Sequence, residues 1–142
     1  MKHPSVVFDA SVAIKALFRN PLQAHCLALM VQFDTLKPVV PALWVYETTS
    51  ALTKAVHFGH ITAQQSLEFQ TYLESLEVEL IVPNATQTRY AIDWTYLLKR
   101  ANAYGCYYLA LAQSLTCDFW TADQNFDLPW LHWIGDLEPL TF

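Results

Sequence analysis

The sequence predicts an α/β fold, a parallel sheet covered by helices on both faces, in a single domain spanning residues 1–142. Three observations carry that expectation. Short apolar runs alternate along the chain with longer stretches of helical period, the pattern of a sheet wound with crossover helices. At 142 residues and 54% hydrophobic, the chain is long and apolar enough for one core without staples. Two of the apolar runs end directly on an aspartate, at Asp9 and Asp123, where open α/β folds gather ligands.

The elements follow in order. Val6 to Phe8 is a first buried strand. Ser11 to Phe18 is a helix, with Asp9 or Ser11 as its cap, because either side chain can accept a free backbone N–H. Pro21 opens a second helix through about Phe33, with Leu22, Cys26, Leu29 and Met30 on its apolar face. Pro38 to Val40 is a short strand before Pro41. Ala42 to Phe58 is helical, with Leu43, Glu47, Ala51 and Lys54 on one broad side and Gly59 as the stop. A helix from about Thr62 to Ser75 leads to a strand over Val78 to Val82, ending at Pro83. Thr86 to Arg100 and Tyr104 to Leu115 are helices. Phe119 to Ala122 is a strand, and Trp130 to Ile134 is a last strand of ambiguous period.

Charge and composition narrow the function. Thirteen acids against eight bases give a net charge of −5. That argues against a broad basic surface for nucleic acid, whose phosphates are met largely by Lys and Arg. Cys26, Cys106 and Cys117 show no CxxC spacing, and their odd number argues for free thiols in a reducing cytoplasm. No amino-terminal signal pattern is visible and no apolar stretch approaches 18 residues, so no membrane association is expected. His3, His25, His57, His60 and His132 lack ligand spacing, and no phosphate-cradling glycine loop is present.

The acids are more informative. Asp9, Glu47 and Asp123 each sit within apolar sequence, where an unpaired carboxylate costs several kcal/mol to bury, on the order of the penalty for a lone polar group or more. Carboxylates tolerate such places when they share a cation, and Mg²⁺ accepts two or three of them while keeping waters. Structural roles compete: helix capping for Asp9, a turn for Asp123, a solvated helix face for Glu47. Lys54 follows Glu47 on the same helix side and is placed either to neutralise it or to touch a phosphate. Asp127 is a turn acid or an outer metal ligand, and Asp93 is the polar side of a helix.

Four segments together resemble the PIN-domain family, especially its small ribonuclease toxins of the VapC type. They are Val6-Val7-Phe8-Asp9-Ala10-Ser11, then Tyr46-Glu47-Thr48-Thr49-Ser50-Ala51-Leu52, then Tyr104-Gly105-Cys106-Tyr107-Tyr108-Leu109-Ala110-Leu111-Ala112, and Trp120-Thr121-Ala122-Asp123-Gln124-Asn125-Phe126. The resemblance spans about residues 5–135. It implies a three-layer α/β/α sandwich around a mainly parallel five-stranded sheet. It also implies an endoribonuclease that hydrolyses RNA phosphodiesters with Mg²⁺ or Mn²⁺, a homodimer, and inhibition by a small antitoxin protein. Asp9, Glu47 and Asp123 would be the catalytic, metal-holding acids. Ser11 and Thr121 would be auxiliary hydroxyls, bonded to an inner carboxylate or a phosphate, or else to local backbone, and Asp127 a further auxiliary acid.

One position departs from the pattern. The third motif of the family places an acid where this chain has Gly105, and no Asp or Glu occurs between Asp93 and Asp118. Two readings follow: an RNA hydrolase with a weakened metal site, in which Gly105→Asp should raise Mg²⁺-dependent cleavage strongly, or a catalytically weak or inactive protein-binding module that keeps the fold.

Overall fold

The computed structural model describes residues 3–123 and 128–141. Five strands form one sheet: β1 (Ser5–Phe8), β2 (Lys37–Pro41), β3 (Glu79–Ile81), β4 (Asp118–Thr121) and β5 (Leu131–Trp133), in the order β3-β2-β1-β4-β5. All four pairings are parallel, and Val7 stands opposite Val39 on one side and Phe119 on the other. Central strands of such a sheet are buried on both faces and need continuous apolar sequence. Val6, Val7 and Phe8 meet that need, at 2%, 0% and 0% exposure. The edges are short three-residue strands, and on β3 Leu80 is open to solvent.

Six α-helices cover the sheet in a three-layer α/β/α sandwich: α1 (Ala10–Leu17), α2 (Gln23–Met30), α3 (Leu43–His57), α4 (Ala63–Ser75), α5 (Ala85–Leu97) and α6 (Cys106–Leu115). α1 packs on α2 and α3, and α3 on α4, whereas α5 and α6 pack together with α6 lying along β1, β2 and β4. Phe8 anchors the core, its ring 5.2 Å from Phe33 and edge-on to Trp44 at 5.8 Å.

Helix ends are set by side chains at the expected kinds of position. Thr62 and Asn84 each form a capping box, with Gln65 and Gln87 returning a bond to the cap. Gly59 takes the left-handed conformation just past α3, φ +77°. Element boundaries shift from the sequence expectation by a residue or more, and at two of them the cause is visible. The stretch from Pro21 opens as a turn, because Asn20 bonds the carbonyls of Lys15 and Phe18 and accepts from Leu22 N–H; α2 starts only at Gln23, and Val31–Asp34 tightens into a 3₁₀ turn. The helix expected to run to Arg100 stops at Leu97. Lys99 turns left-handed at φ +55°, its N–H bonds the Tyr96 carbonyl, and Arg100 N–H bonds that of Thr95. Those two bonds are a Schellman ending, here with lysine at the position glycine usually takes.

Strand order positions the site. From β1 the sheet grows one way through β2 and β3, then resumes on the other side of β1 with β4 and β5. The order therefore reverses between β1 and β4, and the loops leaving their carboxyl ends part to leave a crevice. Asp9 is the residue after β1, and Asp123 lies two residues past β4.

Candidate functional site

That crevice is a cleft of about 840 Å³. Asp9, Glu47 and Asp123 all line it, together with Ser11 and Thr121. Asp127 lies outside the described residues.

Asp9 sits at its floor and is the most constrained acid. It caps α1 from an extended backbone, and its Oδ1 accepts from Val12 N–H at 3.3 Å and from the Ser11 hydroxyl. Its Oδ2 accepts from Thr121 Oγ1 at 2.6 Å. Both hydroxyls also serve the backbone: Ser11 Oγ accepts from Ala122 N–H at 3.1 Å and Thr121 Oγ1 from Asp123 N–H at 3.0 Å. Asp9 thus caps its helix, and Ser11 and Thr121 each bond the Asp9 carboxylate and local backbone at once. One carboxylate is stitched to the end of β4 through two hydroxyls that are themselves fixed by main chain.

Burial pushes the Asp9 carboxyl up to about 6, and the negative charge of Asp123 adds to the rise. The bonds from Ser11, Thr121 and Val12 pull the other way but do not overcome desolvation. An acid raised in this manner, with a second acid near enough to repel it, is what a cation relieves.

Glu47 projects from α3 and accepts from the Tyr108 hydroxyl of α6 at 2.5 Å. Tyr108 is 2% exposed and stacks on Phe119 at 5.9 Å. Its phenol is pushed far above its ordinary range, first by burial, then by the bond to Glu47 and by the charges of Glu47 and Asp9. It therefore remains a protonated donor at any working pH. Tyr108 went unassigned in the sequence because its partner is 61 residues away; the one legible signal is a polar tip in the otherwise apolar run Tyr108-Leu109-Ala110-Leu111-Ala112.

The rest of the wall mixes charge and aromatic surface. Lys54 and Arg100 supply positive charge, and Tyr46 and Tyr104 stand exposed at 73% and 64%. Gly105, at the start of α6, has ordinary right-handed backbone, φ −64° and ψ −24°, so no conformational demand requires a glycine there. A Cβ built on it would lie 3.6 Å from Arg100 Nη1.

Among the described residues no three His, Cys, Asp or Glu side chains stand close enough to form a ready-made metal cage. The donor set is instead a floor carboxylate with a second acid in electrostatic reach and a third braced by a phenol. Such an all-oxygen, open set fits a hard cation that binds through one or two carboxylates and completes its shell with water and phosphate oxygens. Cys26, Cys106 and Cys117 are free, and burial raises the Cys26 thiol to about 12 and Cys117 to about 11, which leaves both unreactive. No helix among the described residues is long and apolar enough to cross a membrane.

No protein-family profile and no curated protein sequence matches the chain. Solved structures do. A chain in the VapBC2 complex from Rickettsia felis, bound to a DNA fragment from their promoter, superposes with a TM-score of 0.64 at 12% identity, over 84% of this chain and 88% of that one. PAE2754 from Pyrobaculum aerophilum superposes with a TM-score of 0.65 at 16% identity, over 87% and 84%. At those identities the likeness is one of fold.

Proposed function

Proceeding from the PIN-like, VapC-type fold of this chain, we propose that it is a divalent-metal-dependent endoribonuclease and the toxin of a toxin–antitoxin pair. The observation that supports this most is the arrival of Asp9, Glu47 and Asp123, from three separate elements, on one cleft at the switch point of the sheet. Mg²⁺ or Mn²⁺ bound through one or two of these acids would supply Lewis-acid activation of water and neutralise charge on the phosphate. The chain's own groups do the rest. Ser11 and Thr121 fix both Asp9 oxygens so that the acid does not turn away. Tyr108 holds Glu47 toward the cleft, and its raised phenol keeps the proton in that bond. Lys54 gives the α3 wall a positive charge against an incoming polyanion.

In this reading the partner is a small antitoxin protein and the toxin is a homodimer, as the family resemblance implies; the VapBC2 neighbour is itself a complex bound to promoter DNA. A second reading, a binding module without turnover, is favoured by Gly105 at the missing acid and by an apolar groove beside the cleft. That groove is lined by Ile14, Phe18, Ala55 and Phe58, the last 68% exposed, together with Arg19, Lys54 and His60.

The deciding experiment is cleavage of a panel of folded RNAs with Mg²⁺, with Mn²⁺ and with EDTA, alongside Asp9→Asn. Cleavage should require the metal and should vanish in the variant. Equal cleavage in EDTA would defeat the metal reading. No cleavage under any condition, with an antitoxin-like partner still bound, would favour the binding module.

A further inference from the structure

We propose that Tyr46 and Tyr104 are base-stacking residues, two rings that receive unpaired bases flanking the phosphate brought to the acids. Both line the cleft of Asp9, Glu47 and Asp123. Tyr46 is the residue before Glu47 on α3, and Tyr104 is the residue before Gly105 at the entry to α6. The Glu47–Tyr108 bond ties those two elements together, and Tyr104 lies about one helical turn ahead of Tyr108. The rings therefore come from two separate elements onto one cleft. Their exposure of 73% and 64% places them at its mouth, whereas Asp9 lies at its floor.

Other tyrosines are engaged within the protein. Tyr108 bonds Glu47, Tyr107 bonds Thr88 Oγ1 at 3.3 Å, and the Tyr72 hydroxyl reaches Met30 Sδ at 3.6 Å. Among the described residues no hydrogen bond or ring contact holds the side chain of Tyr46 or Tyr104. Exposure alone argues little, since a lone apolar group on a surface is ordinary, and Tyr96 on α5 is 75% exposed outside the cleft lining. Tyr46 and Tyr104 differ from it by standing beside the acids. The charge balance calls for such contacts. With 13 acids against 8 bases, the chain is poorly equipped to hold a strand mainly through its phosphates. Stacking on an aromatic ring needs no charge and accepts any base, because every base has a π-face. A duplex keeps its bases stacked on one another, so only unpaired nucleotides can offer those faces. The two rings thus select single-stranded or looped-out RNA.

This inference rests on the ribonuclease reading only for naming the strand as RNA, so its test reads binding and not turnover. Fluorescein-labelled oligouridylate is titrated against the full chain in EDTA across a salt series. An abasic strand with the same number of phosphates and an RNA duplex of the same length are titrated beside it. Oligouridylate should bind about tenfold tighter than either, or more. Tyr46→Ala and Tyr104→Ala should each weaken its binding about tenfold, the order of one base–aromatic stack. The log–log salt slope should stay unchanged, because no phosphate contact is removed. Tyr46→Phe and Tyr104→Phe keep the rings and should bind like wild type. Tyr96→Ala removes an equally exposed ring outside the cleft lining and should change nothing. Folding is monitored by circular dichroism, and the abasic comparison on wild type keeps the test decisive should an alanine variant not fold. Equal binding of the abasic strand or the duplex, a loss that phenylalanine does not rescue, or an equal loss in Tyr96→Ala would each overturn the proposal. So would no binding by wild type, or a change of oligomeric state in the two alanine variants, which would assign the rings to a contact between copies. Tyrosine-dependent binding without any metal-dependent cleavage would defeat the ribonuclease reading and leave this one standing.

Discussion

Removing the charge of Asp9 should change how stability depends on pH. In the folded protein the carboxyl is raised from 3.8 to about 6. Below about pH 4 it is protonated in both folded and unfolded chains and contributes nothing to the difference. Between about pH 4 and pH 6 the folded state holds the proton while the unfolded state has released it, so stability falls as pH rises. Above about pH 6 the full penalty for a buried charge is present. At ~1.36 kcal/mol per pH unit the loss is about 3 kcal/mol. That figure is an upper value, because Asp9 as a residue is partly open to the cleft. The assay is urea denaturation of wild type and Asp9→Asn in EDTA over this range; other titrating groups are common to both, so the difference isolates Asp9. Asp9→Asn should lack the falling limb. At neutral pH it should be more stable than wild type by roughly 1–2 kcal/mol, once about 1 kcal/mol is subtracted for an amide that no longer suits both hydroxyl donors. Mg²⁺ at a hundred times its Kd should restore about 2.7 kcal/mol to wild type and much less to the variant. Parallel pH curves for the two proteins in EDTA would refute the placement of a desolvated, unneutralised carboxylate at the cleft floor.

Two other perturbations test the walls of the site. Tyr108→Phe removes the donor to Glu47 without changing the ring stack, and should cost about 1.5–3 kcal/mol in stability, the range for a hydrogen bond to a charged group. Cleavage should fall by about tenfold as Glu47 loses its orientation; an unchanged Tm with an unchanged initial rate would show the bond to be idle. Gly105→Asp adds a carboxylate that the backbone accepts, but Arg100 is there to pair with it. Mg²⁺ affinity by calorimetry should therefore rise further in Gly105→Asp/Arg100→Ala than in Gly105→Asp, by up to about fivefold, the worth of one exposed ion pair. Equal affinities would remove Arg100 from that position.

What the sequence made legible was whatever depends on neighbours along the chain. Val6-Val7-Phe8 announces a central strand, because only such a strand needs an unbroken apolar run, and an aspartate set against it is conspicuous. Asp9 and Asp123 were visible for this reason; Glu47 was less distinct, because its spacing on α3 suits a solvated helix face as well as the cleft. Helix starts with a polar cap were readable near Thr62. The end of α5 was not, since Lys99 gives no sign that it will adopt a glycine's conformation. The start of α2 was misplaced because Pro21 is a sound first helical residue in isolation, while the bonds that hold it in a turn come from Asn20 reaching back to α1.

The two features that most alter the chemistry depend on distance in space. A missing acid at Gly105 is plain in the sequence; what stands in its place is not. Arg100 reads as the tail of a helix, and only the Schellman ending turns it toward the cleft. Tyr108 reads as core, which it is, yet its hydroxyl reaches across to Glu47. Tyr108 acts on an acid without being one, and Arg100 adds a basic group to the lining of the same cleft. With four carboxylates, a cleft of this kind would be tuned to capture cations and would rely on them to attract phosphate. With three carboxylates, and with Lys54 and Arg100 also on its lining, the cleft offers a cation one carboxylate fewer. Weaker metal binding is then the expected consequence of the glycine at position 105, and restoring a carboxylate there should strengthen it.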